Sequence, residues 1–283
     1  MDFPIPLSVL DPIILRALEE DLGSGDITTD ACIPEDAKAV ADARARGPIV
    51  VCGGTLFRRV FELVDASLSF ESKIADGTIA KKDDVLWTVK GSARSILKGE
   101  RVALNFTQRL CGIATATRTF VDAVPAGKHT RIIDTRKTTP GLRVLERYAV
   151  RCGGGKNHRD NLGSAILIKD NHVAACGGIT AAITRSRAHA PHTSRIECEV
   201  DSLEQLDEAL AAGADIVLLD NMPNDVVAEG VKRCKNKAIT EISGGITLSR
   251  ITALANMDVD LISLGSITHS VISADLGVDF RNA

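Results

Sequence analysis

The chain has 283 residues, of which 45% are hydrophobic and 25% are charged, as is typical of a soluble globular protein. Its formal net charge of -3 indicates no general attraction to nucleic acid or to an anionic membrane. No stretch approaches the roughly 20 apolar residues of a membrane span, and residues 1–11 lack the features of a signal peptide. The seven cysteines are scattered, which predicts free thiols in a reducing cytoplasm.

The first part of the chain predicts a small domain that contains β-strands. Runs typical of strands cover residues 39–54 and 67–90, and turn sequences at 76–77 and 81–84 suggest hairpins. A long amphipathic helix follows, because apolar residues recur at three- and four-residue steps over residues 102–124. We expect this helix to join two domains.

The second half alternates short apolar strands with helices. One helix is predicted to open at Thr139-Pro140, and another begins at a serine cap, Ser202. Strands are predicted at residues 131–135, 165–168, 195–200, 215–219, 238–242 and 260–264. This alternation indicates a parallel sheet covered by helices, and the number of units favours a barrel over an open sheet. The expected fold is an α/β barrel with a smaller N-terminal domain.

Polar residues end several of the predicted strands, namely Lys169, Glu199, Asp220 and Ser243. In α/β barrels the carboxyl ends of the strands form the active-site face. The alternative is that each residue merely begins a solvated loop. Four such residues in succession favour a shared site.

Arginine and lysine are concentrated in one part of this mildly acidic chain. Arg136 and Arg159 can each bind a carboxylate or phosphate through two parallel hydrogen bonds, while Lys137 and Lys169 supply point charges. Each alone would pass for a solvated surface cation. Together they predict a pocket for a polyanionic ligand, and we expect the neighbouring His158 to contact that ligand.

Two carboxylates and two loops of small residues complete the predicted site. Glu199 and Asp220 end strands one βα unit apart, so their carboxylates can converge on Mg²⁺; capping, or a salt bridge to the lysines, is an equal alternative. The segments Ser243-Gly244-Gly245 and Gly265-Ser266 follow the last two strands. Their small side chains let backbone N–H groups reach a phosphate.

With these segments the chain resembles the quinolinate phosphoribosyltransferases, also called carboxylating nicotinate-nucleotide pyrophosphorylases. The resemblance runs in order over nearly the whole chain, and its longest segment is highly specific. The matching segments are EDLGSGDIT (20–28), GERVALNFTQRLCGIAT (99–115), DTRKTTPGLRVLERYAVRCGGGKNHR (134–159), LIKDNH (167–172), ECEVDSLEQ (197–205), LLDNM (218–222) and SGGI (243–246).

The resemblance implies a fold, a reaction and an assembly. The family's fold is an N-terminal α/β sandwich and an incomplete, seven-stranded α/β barrel, which we place at residues 1–115 and 116–269, with a tail, 270–283, that can return to the first domain. The family's reaction uses quinolinate and phosphoribosyl pyrophosphate with Mg²⁺. It yields nicotinate mononucleotide, pyrophosphate and CO2 for de novo NAD biosynthesis. Its members are homodimers, or assemblies of dimers, with shared active sites.

The resemblance also assigns roles to individual residues. The positions that match the quinolinate site are Arg136, His158, Arg159 and Lys169. The positions that match the phosphoribosyl end, which we take as catalytic, are Lys137, Glu199 and Asp220, the last two as Mg²⁺ ligands. Further substrate-binding positions are Thr135, the phosphate loops Ser243, Gly244, Gly245, Gly265 and Ser266, and Arg101, which matches an arginine that reaches the neighbouring subunit's site.

His158 and Arg159 do not fit a strictly alternating barrel. They precede a predicted strand, which would place them on the face opposite the site. The resemblance requires them in the site, so residues 154–159 must form either a short strand or an inward excursion. The sequence leaves both open.

Three other functions compete with this interpretation. A relative associated with molybdenum transport would share the fold, but the joint presence of Arg136, Lys137, His158, Arg159 and Lys169 favours the quinolinate enzyme. A barrel aldolase would use Lys137 or Lys169 as a Schiff-base lysine. A metabolite-binding protein would bind the ligand without releasing pyrophosphate.

Overall fold

The computed structural model describes residues 3–281, which divide into two compact units. The first unit combines the chain up to Arg118 with Thr138–Gly154 and the chain from Ile267 onward. The second unit comprises Thr119–Lys137 and Gly155–Ser266. The domain bounds expected above, 1–115 and 116–269, stay a prediction. Within residues 3–281, no helix is both long and apolar enough to cross a membrane.

The described residues form twelve β-strands. In chain order these are β1 (Lys38–Ala45), β2 (Ile49–Val50), β3 (Ser69–Ser72), β4 (Ile79–Ala80), β5 (Val85–Ser92), β6 (Arg131–Ile133), β7 (Ile166–Ile168), β8 (Ile196–Val200), β9 (Ile216–Asp220), β10 (Ile239–Ser243), β11 (Leu261–Ser263) and β12 (Leu276–Arg281).

The same residues form eleven helices. In chain order these are α1 (Leu7–Leu22), α2 (Ile27–Cys32), α3 (Gly54–Val64), α4 (Ala93–Asp122), α5 (Arg143–Cys152), α6 (Asp170–Cys176), α7 (Ile179–His189), α8 (Leu203–Ala211), α9 (Asn224–Cys234), α10 (Leu248–Asn256) and α11 (Ser266–His269).

The first unit contains a four-stranded antiparallel sheet in the order β12-β1-β5-β3. Trp87 of β5 and Phe57 of α3 are fully buried, with ring centroids 4.7 Å apart, so part of the core lies between the sheet and this helix. Turns form at 76–77 and near 82–83, as expected. The hairpin prediction is wrong, however, because β4 pairs with β2 and not with either strand beside it in sequence.

The second unit contains a six-stranded parallel sheet in the order β6-β11-β10-β9-β8-β7. All six strands coincide with the strands predicted from the sequence, within one or two residues at each end. The predicted α/β class and parallel sheet are therefore confirmed, whereas the seven-stranded barrel stays a prediction. Because the strands are parallel, their carboxyl ends meet at one edge of the sheet.

One further segment lies beside β6. Lys156 forms a single parallel bridge with Ile133: its N–H donates to the carbonyl of Ile132 at 2.8 Å, and its carbonyl accepts from Asp134 at 3.1 Å. The next two residues, His158 and Arg159, therefore emerge at the carboxyl edge of the sheet. This strand-like pairing explains how His158 and Arg159, which precede β7, reach the carboxyl edge of the sheet. A strictly alternating barrel would place them on the opposite face.

Local capping decides where two helices begin. Ser202 caps α8 as predicted, because its hydroxyl accepts from the N–H of Gln205 at 3.2 Å. Thr139-Pro140, by contrast, does not open a helix, so that prediction is wrong. A turn occupies this segment, with the N–H of Leu142 donating to the carbonyl of Thr139, and α5 begins only at Arg143.

Candidate active site

A cavity of about 520 Å³ opens at the carboxyl edge of the second unit's sheet. Eleven of the predicted site residues line it: Thr135, Arg136, Lys137, His158, Arg159, Lys169, Glu199, Asp220, Ser243, Gly244 and Gly245. The structure therefore brings most of the predicted site together. Gly265 and Ser266 follow β11 but do not line this cavity, and Arg101 is an exposed residue of α4 in the first unit.

Residues that the sequence interpretation missed also line the cavity: Leu167, Leu218, Asn221, Glu241 and Ser263. Four of them lie two positions before a predicted site residue or loop. Side chains two apart on a strand point to the same face, so each forms a deeper layer below its partner. The two-residue alternation of strand side chains could therefore have predicted these residues. The signal is hard to see in the sequence, because the strands are mostly apolar.

Two arginines create a strongly cationic side of the cavity. Burial, and next the nearby charge of Arg136, lower the pKa of Arg159. One nitrogen of Arg159 donates to the carbonyl of Ala165 at 3.0 Å, which fixes the side chain. Two like charges held close together in a half-buried pocket favour an anion between them.

His158 turns both ring nitrogens toward the protein. Its Nδ1 accepts a hydrogen bond from the N–H of Arg159 at 2.6 Å, and its Nε2 lies 3.1 Å from Glu197 and 3.6 Å from Glu241. Burial lowers the pKa of His158, the two glutamates raise it, and the balance is a raised pKa. The Arg159 N–H opposes protonation of Nδ1, because an imidazolium has no acceptor nitrogen. The ring thus lines the cavity and fastens the Arg159 backbone.

The buried Asp134 fixes the same segment from the other side. Its carboxylate accepts from the N–H of His158 at 2.7 Å and from Nδ2 of Asn157 at 2.6 Å. Asp134 follows β6 directly, so the carboxylate ties residues 157–158 to the edge of the sheet. Preorganisation of this kind holds Arg159 in place before any ligand arrives.

Glu197 and Glu241 form an acidic floor beneath His158, and both side chains are almost fully buried. Burial, and next the charge of Glu197, raise the pKa of Glu241 to about 8. The raised pKa favours the protonated, neutral form of the Glu241 carboxyl at neutral pH. This keeps the floor from adding a second negative charge below the cationic side.

Lys169 and Glu199 form an ion pair across neighbouring strands, with Nζ and Oε2 2.5 Å apart. The salt-bridge alternative considered for Glu199 is thus realised. A Schiff-base lysine needs a nitrogen that is free to attack a carbonyl, whereas the Lys169 nitrogen is held against a carboxylate, so the pairing disfavours the aldolase interpretation for Lys169.

Asp220 lies next to Glu199's strand and lines the same cavity. Carboxylate oxygens are the ligands that Mg²⁺ prefers, usually one or two together with substrate phosphates and water. Two carboxylates on adjacent strands, facing a cavity large enough for a phosphorylated ligand, fit this cation. The donor set is therefore compatible with the predicted magnesium site, which itself stays a prediction.

The fold and the cavity together define an α/β enzyme whose site, at the carboxyl edge of a parallel sheet, is built for anionic substrates. The sequence matches the quinolinate phosphoribosyl transferase C-terminal domain over residues 113–279 and the corresponding N-terminal domain over residues 26–111. The chain belongs to the quinolinate phosphoribosyltransferase family.

Similar proteins match over nearly their full length. A probable carboxylating nicotinate-nucleotide pyrophosphorylase of Bacillus subtilis is 44% identical, over 92% of this chain and 89% of the relative. The carboxylating nicotinate-nucleotide pyrophosphorylase of Mycobacterium leprae is 43% identical, over 94% and 95%. The crystal structure of NadC from Streptococcus pyogenes has a TM-score of 0.94 at 40% identity and covers 99% of this chain and 100% of its own.

Proposed function

We propose that this chain transfers the phosphoribosyl group of phosphoribosyl pyrophosphate to quinolinate with loss of CO2, giving nicotinate mononucleotide and pyrophosphate in de novo NAD biosynthesis. Full-length similarity to relatives named for this reaction supports the proposal. The observation that carries it is the cavity itself, which is lined by two arginines, Arg136 and Arg159, and by a pair of carboxylates on adjacent strands, Glu199 and Asp220.

The cationic side fits quinolinate. This substrate carries two adjacent carboxylates on a pyridine ring, and Arg136, Arg159 and Lys169 offer two planar guanidinium groups and one ammonium. Such binding orients the ring nitrogen toward the anomeric carbon of the second substrate, which lowers the entropic cost of the reaction. His158 acts here by holding the Arg159 backbone.

The chemistry then requires little from the protein beyond position and charge. The ring nitrogen forms a bond to the anomeric carbon as the bond to pyrophosphate breaks. The ring becomes a pyridinium, and its positive nitrogen stabilises the electron pair left on the adjacent carbon when CO2 departs. A proton then adds to that carbon and gives nicotinate mononucleotide, so no organic cofactor is needed.

The part of the cavity beside Glu199 and Asp220 fits phosphoribosyl pyrophosphate. Glu199 and Asp220 would hold Mg²⁺, which neutralises the leaving pyrophosphate when bound, and Lys137 would add a positive charge there. The segments Ser243–Gly245 and Gly265-Ser266 would present backbone N–H groups to phosphate oxygens. Gly244 and Gly245 both have positive φ, of 87° and 58°, which suits a backbone that approaches a ligand closely.

We further propose that two copies of the chain assemble and share active sites. Arg101 is exposed on α4, in the unit that does not contain the cavity. A two-fold assembly, the commonest symmetry of homo-oligomers, would allow one subunit to deliver this guanidinium to its partner's substrates.

A reducing compartment such as the cytoplasm suits the cysteines. All seven lie within residues 3–281, and none of them is in a disulfide. Disulfide-free proteins with this many cysteines are typical of reducing compartments. Cell fractionation of the tagged protein, with the tag at either end, tests this location.

A product assay tests the reaction directly. The purified protein is incubated with quinolinate, phosphoribosyl pyrophosphate and Mg²⁺, and nicotinate mononucleotide and pyrophosphate are quantified by chromatography. We expect equimolar products and no product when either substrate is omitted. Binding of both substrates without pyrophosphate release would contradict the proposal and favour a metabolite-binding protein.

A further inference from the structure

Asn221, directly after β9, has a left-handed backbone with φ of 54°. Asparagine tolerates this region better than most residues, although it still carries some strain there. Its N–H donates to the carbonyl of Ser243 at 3.0 Å, which extends the pairing of β9 with β10 by one bond. The backbone of Asn221 therefore joins the ends of the two strands that carry Asp220 and the first phosphate loop.

The side chain of Asn221 makes a second connection. Its Nδ2 donates to Oδ2 of Asp220 at 2.7 Å, so the amide fixes the rotation of that carboxylate. The other carboxylate oxygen of Asp220, Oδ1, takes no part in this hydrogen bond. A donor placed on one oxygen of a metal-binding carboxylate orients the other toward the metal and its substrate.

The same side chain also occupies the space over Gly244. A Cβ atom at Gly244 would lie 2.1 Å from Oδ1 and 2.4 Å from Cγ of Asn221, closer than any real contact. Gly244 is thus required by two independent features, its φ of 87° and the amide packed against it. The loop and Asn221 can take up these positions only together.

We propose that Asn221 is a positioning residue for the phosphoribosyl end of the reaction: its amide orients Asp220 and, through its packing on Gly244, sets the Ser243–Gly245 loop beside that carboxylate. This inference rests on the role proposed above for Asp220. It places metal binding and phosphate binding under the control of one side chain.

An ordinary turn asparagine provides the comparison. Asn236 also has a left-handed backbone, with φ of 61°, but it is exposed and lies before β10, away from the carboxyl edge. If Asn221 served only the turn, the two residues would respond alike to substitution. Aspartate is a suitable probe, because it tolerates the same backbone and has nearly the same size but offers an acceptor where the amide has a donor.

The experiment compares Asn221→Asp with the matched control Asn236→Asp. Calorimetry measures the dissociation constants of quinolinate and, with Mg²⁺, of phosphoribosyl pyrophosphate, and thermal unfolding checks that each variant is folded. For Asn221→Asp we expect the phosphoribosyl pyrophosphate dissociation constant to rise about tenfold or more, since a hydrogen bond to a charged group is replaced by repulsion. The quinolinate constant should change less than about twofold, and Asn236→Asp should change neither.

A double-mutant cycle shows whether Asn221 acts through Asp220. In the Asp220→Asn background, we expect Asn221→Asp to alter the phosphoribosyl pyrophosphate constant by less than about twofold, because the carboxylate it orients is gone. Asn221→Gly provides a second route if the aspartate variant does not fold: it relieves the left-handed strain, removes the donor and adds no charge. It should weaken the same ligand in the same way.

The outcomes separate this inference from the proposed function. If Asp220→Asn leaves phosphoribosyl pyrophosphate binding unchanged, the role of Asp220 itself is wrong. If Asp220→Asn weakens binding while Asn221→Asp and Asn221→Gly do not, the positioning role alone is overturned. Equal losses for both substrates, or full effects of Asn221→Asp in the Asp220→Asn background, also overturn it, because they indicate a general structural role.

Discussion

Nε2 of His158 lies 3.1 Å from Oε2 of Glu197, and both side chains are largely buried. This contact connects the cationic side of the cavity with the acidic floor. On one side of this contact, Nδ1 of His158 accepts a hydrogen bond from the N–H of Arg159. On the other side, Glu241 also lies near the ring, 3.6 Å from Nε2 of His158. Arg159 is therefore supported by a column of largely buried ionisable groups.

The first prediction concerns pH and Glu241. Its pKa is raised to about 8 in the folded protein, from a usual value of 4.5. Between these values the folded state keeps a proton that the unfolded state releases, so stability falls as pH rises through this window, by up to about 1.4 kcal/mol per pH unit. We expect Glu241→Gln to flatten this decline, as measured by urea unfolding from pH 5 to 8.

The control for this experiment is Glu35→Gln, because the Glu35 side chain is 90% exposed. It should unfold with the slope of the unsubstituted protein. An unchanged slope in Glu241→Gln would show that Glu241 does not keep a proton in this range.

The second prediction concerns substrate choice. Nicotinate lacks the carboxylate next to the ring nitrogen, so it would leave the repulsion between Arg136 and Arg159 uncompensated. We expect kcat/KM for nicotinate to be lower than for quinolinate by at least about 1,000-fold, because a site built to bind a charged group strongly rejects an analogue that lacks it. Arg159→Met should narrow this ratio, while Arg187→Met, at an exposed ion pair with Asp215, should not. Comparable use of nicotinate would contradict the assignment of both arginines.

The third prediction concerns the carboxylates. Glu199→Ala and Asp220→Ala should each lower turnover at limiting Mg²⁺ by at least about tenfold, because a hard cation loses an oxygen ligand. Quinolinate affinity, measured by calorimetry, should be retained, since Glu199→Ala even releases Lys169 from its ion pair. The exposed Asp225→Ala is the matched control. Full turnover in both cavity variants across a Mg²⁺ series would refute the metal assignment.

The fourth prediction concerns assembly. If active sites are shared as proposed, Arg101→Ala and Lys137→Ala should each be nearly inactive alone, because one removes the residue proposed to act in trans and the other a residue of the cavity. Mixed and refolded together, they should regain activity, since one site of each mixed dimer then holds both natural residues. If mixed dimers form but remain inactive, Arg101 acts within its own subunit or not at all. If Arg101 forms only a surface ion pair, Arg101→Ala should lower the free energy of unfolding by less than about 1 kcal/mol.

The sequence was sufficient to predict the second unit's strands and most residues at their carboxyl ends. Strands such as β9 are short apolar runs that end in a charged residue, and both signals are local. The helix expected at Thr139-Pro140 failed because a cap signal does not require a helix to follow. There the chain makes a turn first, with Gly141 at φ of 81°, and α5 begins after it.

The acidic floor of the site could not be predicted from local sequence signals. Glu197 and Glu241 lie inside apolar strands, where the sequence does not reveal whether an acid faces the interior or solvent. The position of His158 depends on Asp134, which accepts from its backbone N–H, and on Glu197, which lies beside its ring; both are distant in sequence. Asn221 lies in the segment LLDNM (218–222), but its contact with Gly244 is visible only in three dimensions.

The ion pair between Lys169 and Glu199 has a consequence for the order and strength of substrate binding. In the proposed site each partner serves a different substrate, so the ligand that arrives first must separate them. The second ligand then meets a residue already released and binds more tightly. By thermodynamic linkage the effect is mutual, so the two substrates should bind with positive heterotropic cooperativity.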